Sequence, residues 1–223
     1  MYATLAAAAA ASAALAAYGM MSPRSQLFGR QLYQLEAGGR KLCALTFDDG
    51  PQEPYTSRLL DVLGAQRVPA TFFVLGRQAE CHPDTLARLR AEGHEVGIHG
   101  YSHAAMPFMG RARLAEELDR ALDVVGPARL VRPPYGWKDP RLFALARERG
   151  LTVVGWSAHG ADWRRHSPQA IAGKIMGRLR PGGIVLLHDG CGEDATEGRT
   201  RSVEAAAILT RELKRQGWEF VKL

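Results

Sequence analysis

From Arg40 to the end of the chain, short apolar runs alternate with longer stretches whose apolar positions recur at helical spacing. Lys41-Leu-Cys-Ala-Leu-Thr-Phe47 reads as a strand, and so do 70–74, 94–98, 128–131, 151–155, 184–187 and 218–221. Helical patterns fill the intervals at 55–66, 83–92, 111–125, 139–149, 168–180 and 201–216, with Gly150 and Pro181-Gly-Gly183 as stops. Strands that are apolar almost throughout, each followed by an amphipathic helix, predict an α/β fold on a parallel sheet buried on both faces. The pattern holds seven strands in 184 residues, short for an eight-unit barrel, which takes roughly 250.

Upstream of this lies a different kind of segment. Tyr2 to Met21 is twenty uncharged residues, rich in alanine, and as a helix it would be about 30 Å long, the thickness of a bilayer core. No Lys or Arg precedes it, while Arg24, Arg30, Arg40 and Lys41 follow. Two readings stay open: an anchor or export signal that associates residues 2–21 with a membrane at the cell envelope, or a helix that packs elsewhere or stays mobile; because the basic residues follow the segment, a simple anchor would leave the domain on the cytoplasmic side. The chain therefore divides into the uncharged segment 1–21, a connector 22–39 and one folded domain over 40–223.

Composition narrows the classes. Hydrophobic residues make up 46% and charged ones 23%, which excludes general disorder. The net charge of +6 is spread along helical patterns, as at Arg111/Arg113 and Arg178/Arg180, so it marks solvated helix faces and no nucleic-acid partner. An anionic envelope polymer remains compatible with it. Cys43, Cys81 and Cys191 fall at no metal-ligand spacing and form no disulfide framework.

Candidate chemistry gathers where strands end: Asp48-Asp49-Gly50-Pro51, His99 with His103, Arg132-Pro133-Pro134-Tyr135-Gly136, Asp162-Trp163 and His188-Asp189. In a parallel barrel these ends open on one rim. Spaced four apart, His99 and His103 share a face if they lie on a helical turn, and Asp49 adds a carboxylate. Two His and one carboxylate form a metal-hydrolase ligand set. Asp48, diverging from Asp49, is free to act as general base, and Arg132 is available to keep it ionised. An amide hydrolase also needs an acid for the leaving nitrogen; His188 fits, with Asp162 to raise its pKa.

In order and spacing these five segments resemble the motifs of polysaccharide deacetylases, the nodulation-type domain of carbohydrate esterase family four, over about Arg40 to Leu223. The resemblance implies a distorted seven-stranded (β/α) barrel and a divalent metal, zinc before cobalt, manganese or nickel, on Asp49, His99 and His103. It further implies Asp48 as base held by Arg132, His188 as acid tuned by Asp162, the Tyr135 N–H at the oxyanion, and Trp163 and Leu186 as walls of an acetyl pocket. The implied activity is removal of N-acetyl groups from amino sugars in peptidoglycan, a chitin-like oligosaccharide or a lipid-linked sugar. The rivals are O-deacetylation of xylan or another sugar, and glycan binding without catalysis. Three positions depart from the family pattern: His159 where an acidic residue is frequent, Gly100 where Ser or Thr often follows the first His, and Ala104 where Pro is frequent.

Overall fold

The computed structural model describes residues 2–192 and 198–223. Its elements run α1 (Tyr2–Met21), β1 (Leu42–Asp48), α2 (Tyr55–Ala65), β2 (Thr71–Val74), α3 (Gly76–Cys81), α4 (Pro83–Ala91), β3 (Glu95–Ile98), α5 (Arg111–Val125), β4 (Leu130–Val131), α6 (Pro140–Glu148), β5 (Thr152–Val153), β6 (Ala158–His159), α7 (Pro168–Arg178), β7 (Gly183–His188), α8 (Thr200–Arg215) and β8 (Glu219–Val221). All strand pairs are parallel, in the order β5-β4-β3-β2-β1-β7-β6. The sheet curls into the expected distorted barrel.

Its seven-strand path is not built from the seven predicted strands. β6, only two residues long, was invisible as a pattern and takes the end position, whereas β8 leaves the path. β8 pairs with Leu42–Ala44 of β1, while β2 pairs with Thr46–Asp48. The six-residue α3 was likewise too short to show a helical period.

Strand alternation divides the core in two. Cys43, Leu45 and Phe47 of β1 join the larger apolar cluster under the helices, with Phe47 stacked on Phe72 at 5.2 Å. Ala44 of β1 joins a smaller cluster with Phe73, Leu130, Val154 and Ile184. Thr46 and Asp48 continue the Ala44 face, Leu186 and His188 continue the Ile184 face, and Arg132 continues that of Leu130. Each large apolar side chain so buried contributes about 1.5–3 kcal/mol, which fixes the register. In that register Asp48 of β1 stands beside His188 of β7.

The segment 22–39 is woven into the body. Leu32 N–H donates to Val153 O at 2.9 Å, Gly155 N–H to Leu32 O at 2.8 Å, and Leu35 N–H to Gly182 O at 2.7 Å. Leu32 and Leu35 pack on the smaller cluster. Helix α1, by contrast, exposes nearly all its described residues. Its C-terminal end is held by Lys138, whose backbone N–H donates to Met20 O and whose Nζ donates to Ser22 O at 2.6 Å. Burial pulls the Lys138 ammonium down to about 8. Among the described residues no helix is long and apolar enough to cross a membrane; alanine is too weakly apolar to make α1 one, and membrane association through residues 2–21 finds no support.

Candidate active site

The mouth of the barrel holds a cavity of about 440 Å³ lined by Asp48, Asp49, His99, His103, Tyr135 and His188, among others. Trp163 and Leu186 line it too, while Arg132 and Asp162 are buried behind Asp48 and His188. The loops that carry them are tight. Gly50 leaves no room for a side chain, since a Cβ there would lie 2.0 Å from Asp189 Oδ2. Non-glycine residues in the left-handed region, which costs roughly 1–3 kcal/mol each, are few among the described residues: Asp49, His103, Tyr135, Ala161 and Arg67. All but Arg67 belong to the mouth or adjoin it.

His99 and His103 do meet, but not on a helix. Gly100 (φ 79) and His103 (φ 68) turn the chain back on itself, and the rings come to 5.4 Å centroid to centroid. Four-residue spacing was therefore a correct sign with the wrong geometry behind it. Gly100, a departure from the family pattern, is the residue type this left-handed position favours.

Asp49 Oδ1 lies 3.3 Å from His99 Nε2 and 3.2 Å from His103 Nε2, all three residues being buried. Their potential ligand atoms lie within 4.8 Å of one another. Asp49 Oδ1 makes no hydrogen bond, and a buried carboxylate oxygen without one is costly unless a cation occupies its lone pairs. His99 Nδ1 sits 2.7 Å from Arg132 O, so Nδ1 carries the proton and Nε2 keeps a lone pair facing Asp49. That is the second-layer contact by which metal-binding imidazoles are oriented. Burial favours the neutral form of Asp49, yet His103, His99 and the charge of His188 hold its carboxyl well below the usual range. The set fits a divalent cation.

Arg132 is wholly buried. Its Nη1 donates to Asp48 Oδ1 and to Thr46 Oγ1, each at 2.7 Å, and its Nη2 donates to Gly155 O at 2.9 Å. The guanidinium also lies 4.1 Å over the Phe73 ring. Asp48 is thus fixed on one side, with Oδ2 3.9 Å from His99 Nε2.

Across the mouth, Asp162 accepts from the His188 backbone N–H at 2.8 Å and from Ser202 Oγ at 2.9 Å, and its Oδ1 lies 3.0 Å from His188 Nδ1. Burial alone would lower the His188 pKa. The charge and hydrogen bond of Asp162, then the charges of Asp49 and Asp48, outweigh it and push the imidazole up to about 9. Burial likewise opposes ionisation of Asp162, but His188, Ser202 and Arg199 hold it below the usual carboxylate range.

Tyr135 (φ 60) places its ring 4.7 Å from His103, edge to face. Trp163 lies edge-on to His188 at 5.6 Å, and Leu186 lines the cavity from β7. His159 stacks on Trp163 at 5.1 Å with Arg178 against it, and burial followed by Arg178 lowers its pKa. Trp137, Trp156, Cys191 and Arg199 in the lining, and Ser202 behind Asp162, carried no signal in the residue pattern. Asp189 was noted only as the neighbour of His188. It is buried and accepts from Thr56 Oγ1 at 2.6 Å; burial, with Asp49 and Asp48 nearby, pushes its carboxyl up to about 7.

A curled parallel barrel whose mouth joins a His-His-carboxylate cluster to an Arg-held carboxylate and an Asp-held imidazole defines a hydrolase of the carbohydrate deacetylase class. The chain belongs to the polysaccharide deacetylase family, whose sequence profile matches residues 36–154. It is 41% identical over 174 residues to a chitooligosaccharide deacetylase of Sinorhizobium fredii, covering 74% of this chain and 80% of that one. A crystal structure of a peptidoglycan N-acetylglucosamine deacetylase superposes with a TM-score of 0.80 at 31% identity, covering 86% of this chain and 90% of that one. A family-four pseudoenzyme from Bacillus anthracis shares the fold alone, with a TM-score of 0.78 at 23% identity over 87% of this chain and 67% of that one. By family the chain is a hydrolase of carbon–nitrogen bonds in linear amides.

Proposed function

We propose that the protein removes the N-acetyl group from an amino sugar within a bacterial envelope glycan or a chitin-like oligosaccharide, releasing acetate. The observation that carries this reading is the convergence, in one cavity, of the Asp49-His99-His103 cluster with Asp48 on one side and His188 on the other. Asp49, His99 and His103 would hold the metal; two imidazoles and a carboxylate suit zinc, and cobalt, manganese or nickel are accepted by the same donors. When bound, such a dication acts as a Lewis acid toward the acetamide carbonyl and lowers the pKa of water.

The protein groups do the rest. Asp48, held in place by Arg132, takes the proton of the attacking water. The Tyr135 N–H donates to the oxygen on which negative charge develops. His188, protonated at its Nε2 because Asp162 holds Nδ1, gives that proton to the nitrogen as the C–N bond breaks, so the products are acetate and a free amine. Trp163 and Leu186 wall the space for the acetyl methyl. Relatives named for chitooligosaccharide and peptidoglycan substrates support an N-acetylated glycan. An amine is a poorer leaving group than an alkoxide bearing a sugar, and an imidazole raised to about 9 suits the amide. This favours N- over O-deacetylation.

The test couples metal analysis to acetate release. Chelation should abolish release from chitooligosaccharides or peptidoglycan and a stoichiometric dication should restore it. Asp49→Ala should lose the metal itself, whereas Asp48→Asn should keep the metal and lose about 10³-fold in kcat. Full activity of Asp48→Asn, or faster release from acetylated xylan than from the amides, would reject this reading.

A further inference from the structure

Within 40–223, the described residues expose only three large hydrophobic side chains: Phe108 at 73%, Tyr135 at 48% and Trp163 at 40%. Tyr135 and Trp163 line the cavity. Phe108 does not, yet it continues a line of rings that leads out of it. From His103 to Tyr135 the centroids are 4.7 Å apart, from Tyr135 to Trp137 5.2 Å, and from Trp137 to Phe108 6.0 Å.

The ring at the outer end is held there by a built support. Phe108 lies in a short turn, Met106–Phe108, pinned on its inner side by the buried Met106. The carbonyls on either side of Phe108 both accept from one guanidinium: Arg141 Nη1 donates to Met109 O at 2.7 Å and Nη2 to Pro107 O at 2.8 Å. Arg141 is itself held by Asp139, the N-cap of α6, through Nε at 2.8 Å. An exposed phenyl ring costs solvation, so clamping it in the open beside a substrate cavity calls for a ligand that covers it.

The geometry points to the exposed Phe108 ring, with Trp137 set at 86° to it as a side wall, as a stacking platform for a second sugar residue of the glycan, next to the acetamido sugar bound at Tyr135. A pyranose offers a face of C–H groups that packs on the electron-rich face of an aromatic ring, as in other aromatic contacts. The platform is continuous with the catalytic cavity and is only two rings wide. That suits a single sugar unit better than a protein surface, where exposed apolar patches reach several hundred square ångströms. The platform therefore selects oligosaccharides and polysaccharides over a free monosaccharide. The inference rests on the glycan reading above.

Binding and turnover separate the two. The metal-replete protein is titrated with the N-acetylglucosamine tetramer by calorimetry, and acetate release is measured from monomer and tetramer. Phe108→Ala should weaken tetramer binding and raise its KM about fivefold, the worth of one aromatic contact, leave monomer kcat/KM unchanged, and be rescued by Phe108→Trp. Arg141→Lys, which cannot fork to both carbonyls, should raise tetramer KM in the same direction. Equal losses on monomer and tetramer, or an unchanged tetramer Kd, would overturn the platform. Tetramer binding that weakens in Phe108→Ala without any acetate release from the unsubstituted protein would uphold the platform and sink the deacetylase reading.

Discussion

Asp48 and His188 stand side by side in the register of β1 and β7, yet opposite devices prepare them. Asp48 is a carboxylate fixed by a buried cation, Arg132; His188 is an imidazole fixed by a buried carboxylate, Asp162. In each pair the deeper partner has no access to substrate and the outer one faces the cavity. The first sets a carboxylate acceptor against a guanidinium, and the second raises the pKa of an imidazole donor. Base and acid can therefore coexist at one pH a few ångströms apart, because each carries its own counter-charge.

The harshest way to break this symmetry is Arg132→Met. The replacement leaves Asp48 buried without its cation and strips the donors from Thr46 Oγ1 and Gly155 O. Breaking a buried pair in this way costs about 3–5 kcal/mol, which for a domain of this size lowers Tm by on the order of 10 °C. Acetate release should fall to near the level of Asp48→Asn. If Tm and kcat were both little changed, the guanidinium would be packing rather than electrostatics.

Asp162→Asn attacks the other pair and should be milder, because a neutral amide still fits and Ser202 still offers its hydroxyl. The sign follows from the causes. An acid must be protonated to act, so with His188 near 9 the rate holds through neutral pH and falls as pH rises past about 9. Removing the Asp162 charge leaves burial, which favours neutral imidazole, opposed only by the charges of Asp49 and Asp48. The alkaline limb of kcat should move down by about 2 units, with most of the lost rate at pH 8 recovered at lower pH. A limb that stays in place would mean that Asp162 only positions the ring. A cation on Asp49 also offsets part of the carboxylate charge felt by His188, so the limb in the unsubstituted, metal-loaded protein should lie somewhat below that of the chelated one in a direct titration of the ring.

The two pairs also differ in how far the sequence disclosed them. Asp48, Asp49 and His188 end long apolar strands, where a period of two says which face each side chain takes, and β1 and β7 are long enough to be read. The strand containing His159 is two residues, below any periodic signal, so the position of Asp162 was legible only as a residue near a strand end. Ser202 was hidden entirely, because a serine inside an amphipathic helix looks like surface. The pairing of His99 with His103 was legible, but its cause was not: backbone angles at Gly100 and His103 create it, and no spacing rule encodes them. The platform at Phe108 was missed for the same reason, since an aromatic after a proline in a short loop carries no period at all.

The smallest expected effect comes from the region the sequence left most open. Residues 22–39 and α1 adjoin in the chain but differ in attachment. Leu32 and Leu35 are hydrogen-bonded to the β5 and β7 ends and packed on the inner cluster, whereas α1 touches the body chiefly where Lys138 meets Met20 O and Ser22 O. Lys138 also follows Trp137 directly, so the helix end is tied to the loop that carries Tyr135. A chain starting at Gly19 keeps both carbonyls, the Lys138 contact and the whole connector. It should melt within about 2 °C of the full chain, less than 1 kcal/mol for a domain of this size, with kcat unchanged. A chain starting at Arg40 loses the strand-like bridge and two half-buried leucines, each worth less than the about 1.5–3 kcal/mol of full burial, and should melt below both. If the Gly19 start instead lowered kcat without lowering Tm, α1 would act on the Tyr135 loop through Lys138, and the folded unit would extend beyond residues 40–223 to the beginning of the chain.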